Sequence, residues 1–223
     1  MQTIRIGEGT TTIGQNAFNT CKSLTDIYLP STLASLGEPD EVSIDDNPGS
    51  IFGDCPQLKT IHMDKGESPA AKLIDGVLFS NDGTQLICYP PKLPMSKTHG
   101  NYIVPQSVTT IYQYAFNFNA LSHVVLPNDL KSIDRYAFFD DQNRPTATHV
   151  TEITLPASVK YLPQLWNAGS HIQTIVYCEK KPMDTRPTDC LTTCSKLWQK
   201  RDSYGKIAPT CVCPRPYRPR ASR

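Results

Sequence analysis

Apolar positions recur along this chain with a spacing of 22 or 23 residues. Ile4 to Ile27 spans 23 residues, and Ile111 to Ile133 spans 22. Three segments align without gaps: YIVPQSVTTIYQYAF (102–116), VVLPNDLKSIDRYAF (124–138) and ITLPASVKYLPQLW (153–166). Such a repeat predicts a stack of similar units, because one short unit cannot bury its apolar face alone.

Each unit consists of a strand, a return segment and a turn. In the pattern LxxIxLP, apolar residues two apart point to one side of a strand, and the proline ends the strand because it has no N–H to donate. The following V/LxxI segment predicts an extended or tight-turn return with its apolar residues directed inward. In IGQNAF (13–18) and its equivalents, the spacing of Ile, Ala and Phe predicts a short helical turn on the outer wall. About seven coils are expected, with strands near 3–6, 26–29, 60–63, 102–104, 123–126, 151–155 and 173–177.

Three breaks in the spacing predict insertions. Residues 37–50 and 140–149 are polar segments that predict loops. Residues 73–91 contain two apolar runs joined by the segment Asn81-Asp82-Gly83-Thr84. Because Asp-Gly between apolar runs is a strong hairpin signal, we expect GVLF to pair with QLICY. The hairpin would then replace the outer wall of one repeat or cap it.

The segments CKSLTDIYLPSTLASLG, VVLPNDLKSIDRYAF and LIDGVLFSNDGTQLICYPP resemble the BspA-like class of leucine-rich repeats. The resemblance covers residues 1–183 and implies an α/β, β-rich solenoid. This solenoid is expected to be a right-handed horseshoe with a parallel concave sheet and an inserted β-hairpin. The resemblance also implies a cell-surface or secreted protein of a host-associated microbe, with a role in adhesion or in recognition of host extracellular proteins.

The strand pattern selects candidate binding residues on the concave face. If Ile27, Ile61, Val124 and Ile153 point inward, the residue that follows each points to the concave surface, because strand side chains alternate. Concave solenoid faces often bind partners, and aromatic residues there suit anchoring; the alternative is that these side chains are merely tolerated. The predicted binding residues are Arg5, Tyr28, His62, Ile103, Val125 and Thr154, and Val176 continues the row. A second row lies two positions earlier: Thr3, Asp26, Thr60, His123, Glu152 and Thr174.

Composition narrows the class of protein. The 223 residues include 22 Lys and Arg and 21 Asp and Glu, a net charge of +1, so no overall field attracts nucleic acid or anionic membrane. We expect no nucleic-acid partner and no membrane span, because no long apolar run is present. The first residues lack the charged and apolar regions of a signal peptide. Surface exposure or secretion therefore follows from the resemblance, whereas the sequence as it stands favours a cytoplasmic protein or a fragment without its leader.

Catalytic and metal-binding patterns are absent from the sequence. It contains no GxSxG, no Cys-His-Asn arrangement and no phosphate-binding loop, so neither an enzyme nor a cofactor is expected. No carboxylate or Cys is spaced to join His62 and His123 in a zinc site, and no metal is expected. Four isolated cysteines are expected to pack as small hydrophobic residues: Cys21, Cys55, Cys88 and Cys178. The other four lack the spacing usual for structural zinc: Cys190, Cys194, Cys211 and Cys213.

Residues 184–223 are predicted to form an irregular, basic tail that contains Pro, Arg and Cys and is poorly ordered. From Lys196 onward, eight positive charges stand against Asp202 alone. Two interpretations remain open: a disordered basic tail, or the product of a reading-frame change upstream.

Two hypotheses for function follow from these observations. The first is a non-catalytic protein-binding or adhesion-type protein that holds a protein ligand on its concave sheet. The second is a structural or spacer module that presents other domains or self-associates through the ends of its solenoid.

Overall fold

The structure is a computed structural model of the chain. It describes residues 2–37, 50–64, 66–94, 100–119, 121–134, 136–138 and 150–156, together with the strand backbone at 174–178 and 210–211. The predicted loops 37–50 and 140–149 fall almost entirely outside these residues, as does most of the predicted tail.

Parallel strands form the repeating wall of the molecule, and they lie within one residue of the predicted positions. One sheet has the order β1-β3-β5, and its strands are Thr3–Arg5, Asp26–Leu29 and Thr60–Met63. The other has the order β9-β11-β13-β14-β15, and its strands are Asn101–Ile103, His123–Val125, Glu152–Pro156, Thr174–Cys178 and Thr210–Cys211. The predicted parallel strands are therefore present, but they form two sheets rather than one. We call the two sheets the N-terminal and the C-terminal strand wall.

The V/LxxI return segments form short parallel strands, which is the extended form of the two predicted; the sequence analysis did not predict that they pair. Strand β2 (Thr12–Ile13) pairs with β4 (Ser35–Leu36), and β10 (Thr110–Ile111) pairs with β12 (Ser132–Ile133). The isoleucines of β2, β10 and β12 are buried, whereas the preceding residue of each is more accessible.

The predicted hairpin is present, and it is part of a larger sheet. Strand β7 (Val77–Ser80) pairs antiparallel with β8 (Gln85–Cys88), and β6 (Ala71–Ile74) adds an antiparallel strand that the sequence did not predict. Strand β8 also pairs in parallel with β10, where Leu86 lies opposite Ile111. Strand β8 of the hairpin therefore takes the place of a return strand, whereas the prediction was that the hairpin replaces the outer wall of one repeat or caps it.

The helical turns expected on the outer wall are absent from the described residues, which contain strands and turns only. Backbone dihedral angles explain why these segments are not helical. Asn16, Tyr114 and Tyr136 occupy equivalent positions before Ala-Phe and have φ values of 59°, 57° and 59°. A left-handed residue interrupts a right-handed helix, so each segment closes as a tight turn. The described fold is thus β-rich, and its α component was wrongly predicted.

The core lies in two clusters on either side of the hairpin. The N-terminal core includes Leu24, Ile27 and Ile61, and the C-terminal core includes Phe116, Val124 and Ile153. All six of these side chains are buried. Burying the side chains of neighbouring coils together is what holds a stack of short units in place.

Candidate functional site

In each strand wall, every second side chain points into the core, and the side chains between them are accessible. Ile27, Leu29, Val124 and Ile153 are buried, as their predicted inward orientation requires. The residues that alternate with them lie opposite one another on adjacent strands. The N-terminal wall aligns Arg5, Tyr28 and His62, and the C-terminal wall aligns Ile103, Val125 and Thr154. The six predicted binding residues thus form two rows of three, on separate sheets.

The row on the N-terminal wall is a stack of three flat groups. The Arg5 guanidinium carbon lies 3.8 Å from the centre of the Tyr28 ring. The His62 ring stacks on Tyr28, with the ring centres 4.1 Å apart and the planes 9° from parallel. Because β3 lies between β1 and β5, Arg5 and His62 approach Tyr28 from opposite sides. A cation on an aromatic face is attracted by the ring electrons, so the stack fixes the Arg5 side chain in place.

A carboxylate stands beside this stack. Asp26 Oδ1 lies 3.6 Å from His62 Nε2. The Thr25 hydroxyl donates a 2.6 Å hydrogen bond to Asp26 Oδ2. Hydrogen bonds from Thr25, Thr60 and His62, together with the charge of His62, lower the pKa of Asp26, and that from Thr25 has the largest effect. Asp26 is therefore an anion held next to the imidazole.

The row on the C-terminal wall combines apolar and polar side chains. Ile103 is 69% exposed and is the one large hydrophobic residue in the described part of the chain with such exposure. Val125 lies beside it and is half-buried. His123 Nε2 lies 2.9 Å from the Thr154 hydroxyl and 3.4 Å from Glu152 Oε1. This wall thus offers an apolar strip bordered by a histidine and a carboxylate.

The sequence analysis missed the carboxylate partners of the two histidines. His62 and His123 lie on different strand walls, so they cannot share a site, but each has its own carboxylate, Asp26 or Glu152. The expectation that no carboxylate joins them was therefore incomplete. The second row of alternating residues contained Asp26, His123 and Glu152, and strand register was the signal that would have paired them.

Chemically, the two rows suit contact with a partner.

No group of three or more His, Cys, Asp or Glu side chains suited to a metal ion occurs among the described residues. Cys55 and Cys88 are buried, and Cys21 is half-buried. Burial, with a smaller contribution from Cys21, raises the pKa of the Cys55 thiol to about 12, so this thiol is protonated and unreactive at neutral pH.

Comparison with known proteins gives the same repeat architecture. The model of the BspA type leucine rich repeat region matches residues 1–39 and 96–198, in six copies. A leucine-rich repeat protein from Eubacterium ventriosum ATCC 27560 is similar in structure, with a TM-score of 0.55 and 18% identity over 78% of this chain and 41% of that one. The pneumococcal vaccine antigen PcpA is also similar, with a TM-score of 0.54 and 23% identity over 75% of this chain and 42% of that one.

The chain spans about two fifths of the length of each of the two solved structures. A separate comparison with curated proteins found no match. Within the described residues, no helix has the length and apolar character to cross a membrane.

Proposed function

This chain belongs to the BspA-type leucine-rich repeat family, and we propose that it is a non-catalytic, adhesion-type protein that binds a protein ligand on its strand walls. The observation that carries the proposal is the pair of aligned, accessible rows, Arg5-Tyr28-His62 and Ile103-Val125-Thr154. Aromatic and arginine side chains are common anchors of protein interfaces, and Ile103 offers apolar area in addition.

The proposal also includes the shape of the solenoid and the place where the protein acts. We propose that the coils continue as a right-handed horseshoe with both walls on its concave side, which suits an extended protein surface. The ligand we propose is a host extracellular protein, and the place of action is the cell surface or the medium. Similarity to the BspA-type repeats supports both statements, although one fold serves many functions.

A triple substitution in the two rows tests the proposal. We expect Tyr28→Glu, His62→Glu and Val125→Glu together to abolish capture of extracellular host proteins by the immobilised chain, because three charges replace the contact surface. Binding is measured by surface plasmon resonance with proteins first captured by the unmodified chain. The matched control places three glutamates outside the strand walls, at Thr12 and Ser132 of the return strands and at Gln85 of β8, and should bind as the unmodified chain does.

Equal binding by the triple variant and the unmodified chain would refute the strand walls as the binding surface. In that case, self-association measured by light scattering would support the alternative, a spacer module that interacts through the ends of its solenoid.

A further inference from the structure

Arg5 of the N-terminal strand wall has guanidinium N–H donors without hydrogen-bond partners among the described residues. Tyr28 covers one face of the Arg5 guanidinium, and Arg5 itself is exposed. Among the residues that the structure describes, Arg5 has neither an ion pair nor a side-chain hydrogen bond. A guanidinium carries five N–H donors in the plane of the group, so stacking on a ring leaves these donors available at the edge.

Unlike Arg5, each of the two histidines of the strand walls has a carboxylate beside it. Within the described strand walls, His62 lies beside Asp26 and His123 lies beside Glu152. Arg5 is thus the unpaired cation of the two walls. The Tyr28 hydroxyl, which makes no hydrogen bond with the described part of the chain, adds a donor next to it.

From this arrangement we infer that the Arg5-Tyr28 pair binds a carboxylate of an acidic, extended peptide segment of the partner protein. The inference rests on the proposed function and names the chemistry that the N-terminal wall recognises. A carboxylate accepts two parallel N–H bonds from a guanidinium, and such bidentate pairs are among the strong hydrogen bonds of proteins. The stack holds Arg5 in advance, which reduces the entropy lost on binding.

Charge complementarity favours a carboxylate over a phosphate or a sulfated polymer. The site has one unpaired cation, and Asp26 lies two residues before Tyr28 on the same strand. One guanidinium balances the single charge of a carboxylate. A polyanion needs several cations to bind well, and Asp26 would repel its further charges.

The test uses the full chain labelled with nitrogen-15 and three soluble probes. The probes are a Thr-rich peptide with one central Glu, the same peptide with Gln in place of Glu, and a sulfated heparin oligosaccharide. Binding is followed by the shifts of the Arg5 Nε–H signal and of the β1 and β3 amides. We expect the Glu peptide to shift these signals in a saturable way, and the Gln peptide and the oligosaccharide to leave them unchanged.

Variants assign the effect to the stacked arginine. Arg5→Gln should weaken binding of the Glu peptide by about tenfold to a hundredfold, the range of a charge-assisted hydrogen bond. Arg5→Lys should recover only part of the affinity, because lysine keeps the charge and loses the planar fork. Lys131→Gln removes one positive charge at an exposed position before β12 and should bind as the unmodified chain does.

Equal binding of the Glu and Gln peptides, or unchanged binding by Arg5→Gln, would overturn the inference, and so would a response to heparin alone. Failure of the proposed function has a different signature. Suppose that Arg5→Gln leaves capture of the protein partner intact, whereas Val125→Glu abolishes it. The strand walls then bind protein, but Arg5 does not bind a carboxylate of that protein. If neither variant affects capture, the proposed function itself fails.

Discussion

Burial separates the cysteines of the described coils by their reactivity. Cys55 and Cys88 are buried, and burial raises the pKa of both thiols, to about 12 for Cys55. Cys21 is half-buried. Because the thiolate is the reactive form, we expect iodoacetamide at mildly alkaline pH to modify Cys21 well before the other two. Peptide mass spectrometry over time measures the order, and in denaturant the three rates should become similar. Native labelling of Cys55 as fast as Cys21 would contradict the packing.

Asp82 lies in the hairpin turn, where its carboxylate accepts several hydrogen bonds. Ser80 donates a 2.6 Å hydrogen bond to Asp82 Oδ1, and the Thr84 N–H donates another of 2.9 Å. These bonds lower the pKa of Asp82 below the usual aspartate value of 3.8, and the bond from Ser80 has the largest effect. The folded state therefore binds this proton less well than the unfolded state, and ionised Asp82 stabilises the fold above that value.

This stabilisation is lost as the pH falls from about 3.8 through the lower folded pKa. We expect Asp82→Asn to be less stable than the unmodified chain near neutral pH and to lose less stability across the acid range. Urea unfolding at several pH values measures the difference. The control is Asp64→Asn, an exposed position after β5, and identical acid profiles for Asp82→Asn and the unmodified chain would exclude the effect.

At the scale of elements, aromatic stacking joins successive coils. Phe116 and Phe138 are buried at equivalent positions of adjacent coils, with ring centres 5.0 Å apart and planes 1° from parallel. We expect Phe116→Ala to lower the free energy of unfolding by about 3–5 kcal/mol, through lost apolar burial and the cavity that remains. Chemical denaturation measures the loss. Phe116→Leu should lose less because it fills more of the space, and equal losses for the two variants would argue against packing as the cause.

Strand positions were predictable because their signal is local. Alternating apolar residues followed by proline place β3 and β11 directly, and Asp82-Gly83 places the hairpin. The outer turns were not predictable from the sequence. Bulky residues such as Tyr114 and Tyr136 rarely adopt a positive φ, and their side chains give no signal for that backbone conformation. Strand β6 pairs with β7 across the two-residue turn Asp75-Gly76, a local hairpin signal that the sequence analysis missed. The division into two walls depends on which distant segments pair. The stacking of Arg5 on Tyr28 likewise depends on the register between coils rather than on spacing within one.

At the scale of the whole molecule, the hairpin connects the two cores. Leu78 packs in the N-terminal core, whereas Val77 and Phe79, on the other face of β7, pack in the C-terminal core. Strand β8 divides in the same way, with Leu86 in the C-terminal core and Ile87 in the N-terminal core. The hairpin is thus a shared layer, and it lies where the strand walls are interrupted between β5 and β9.

A shared layer predicts that the two halves unfold together. Leu78→Ala removes a fully buried side chain from the N-terminal core and should cost about 2–5 kcal/mol. If the hairpin couples the cores, the amides of β3 and β11 should lose protection from hydrogen exchange by the same free energy, although Leu78 contacts one core only. Gln85→Ala, at an exposed position of β8, is the matched control and should leave both strands protected. Loss of protection in β3 alone would mean that the two walls are independent folding units. In that case a ligand bound to both walls would also have to order them relative to each other, and its affinity would fall by that cost.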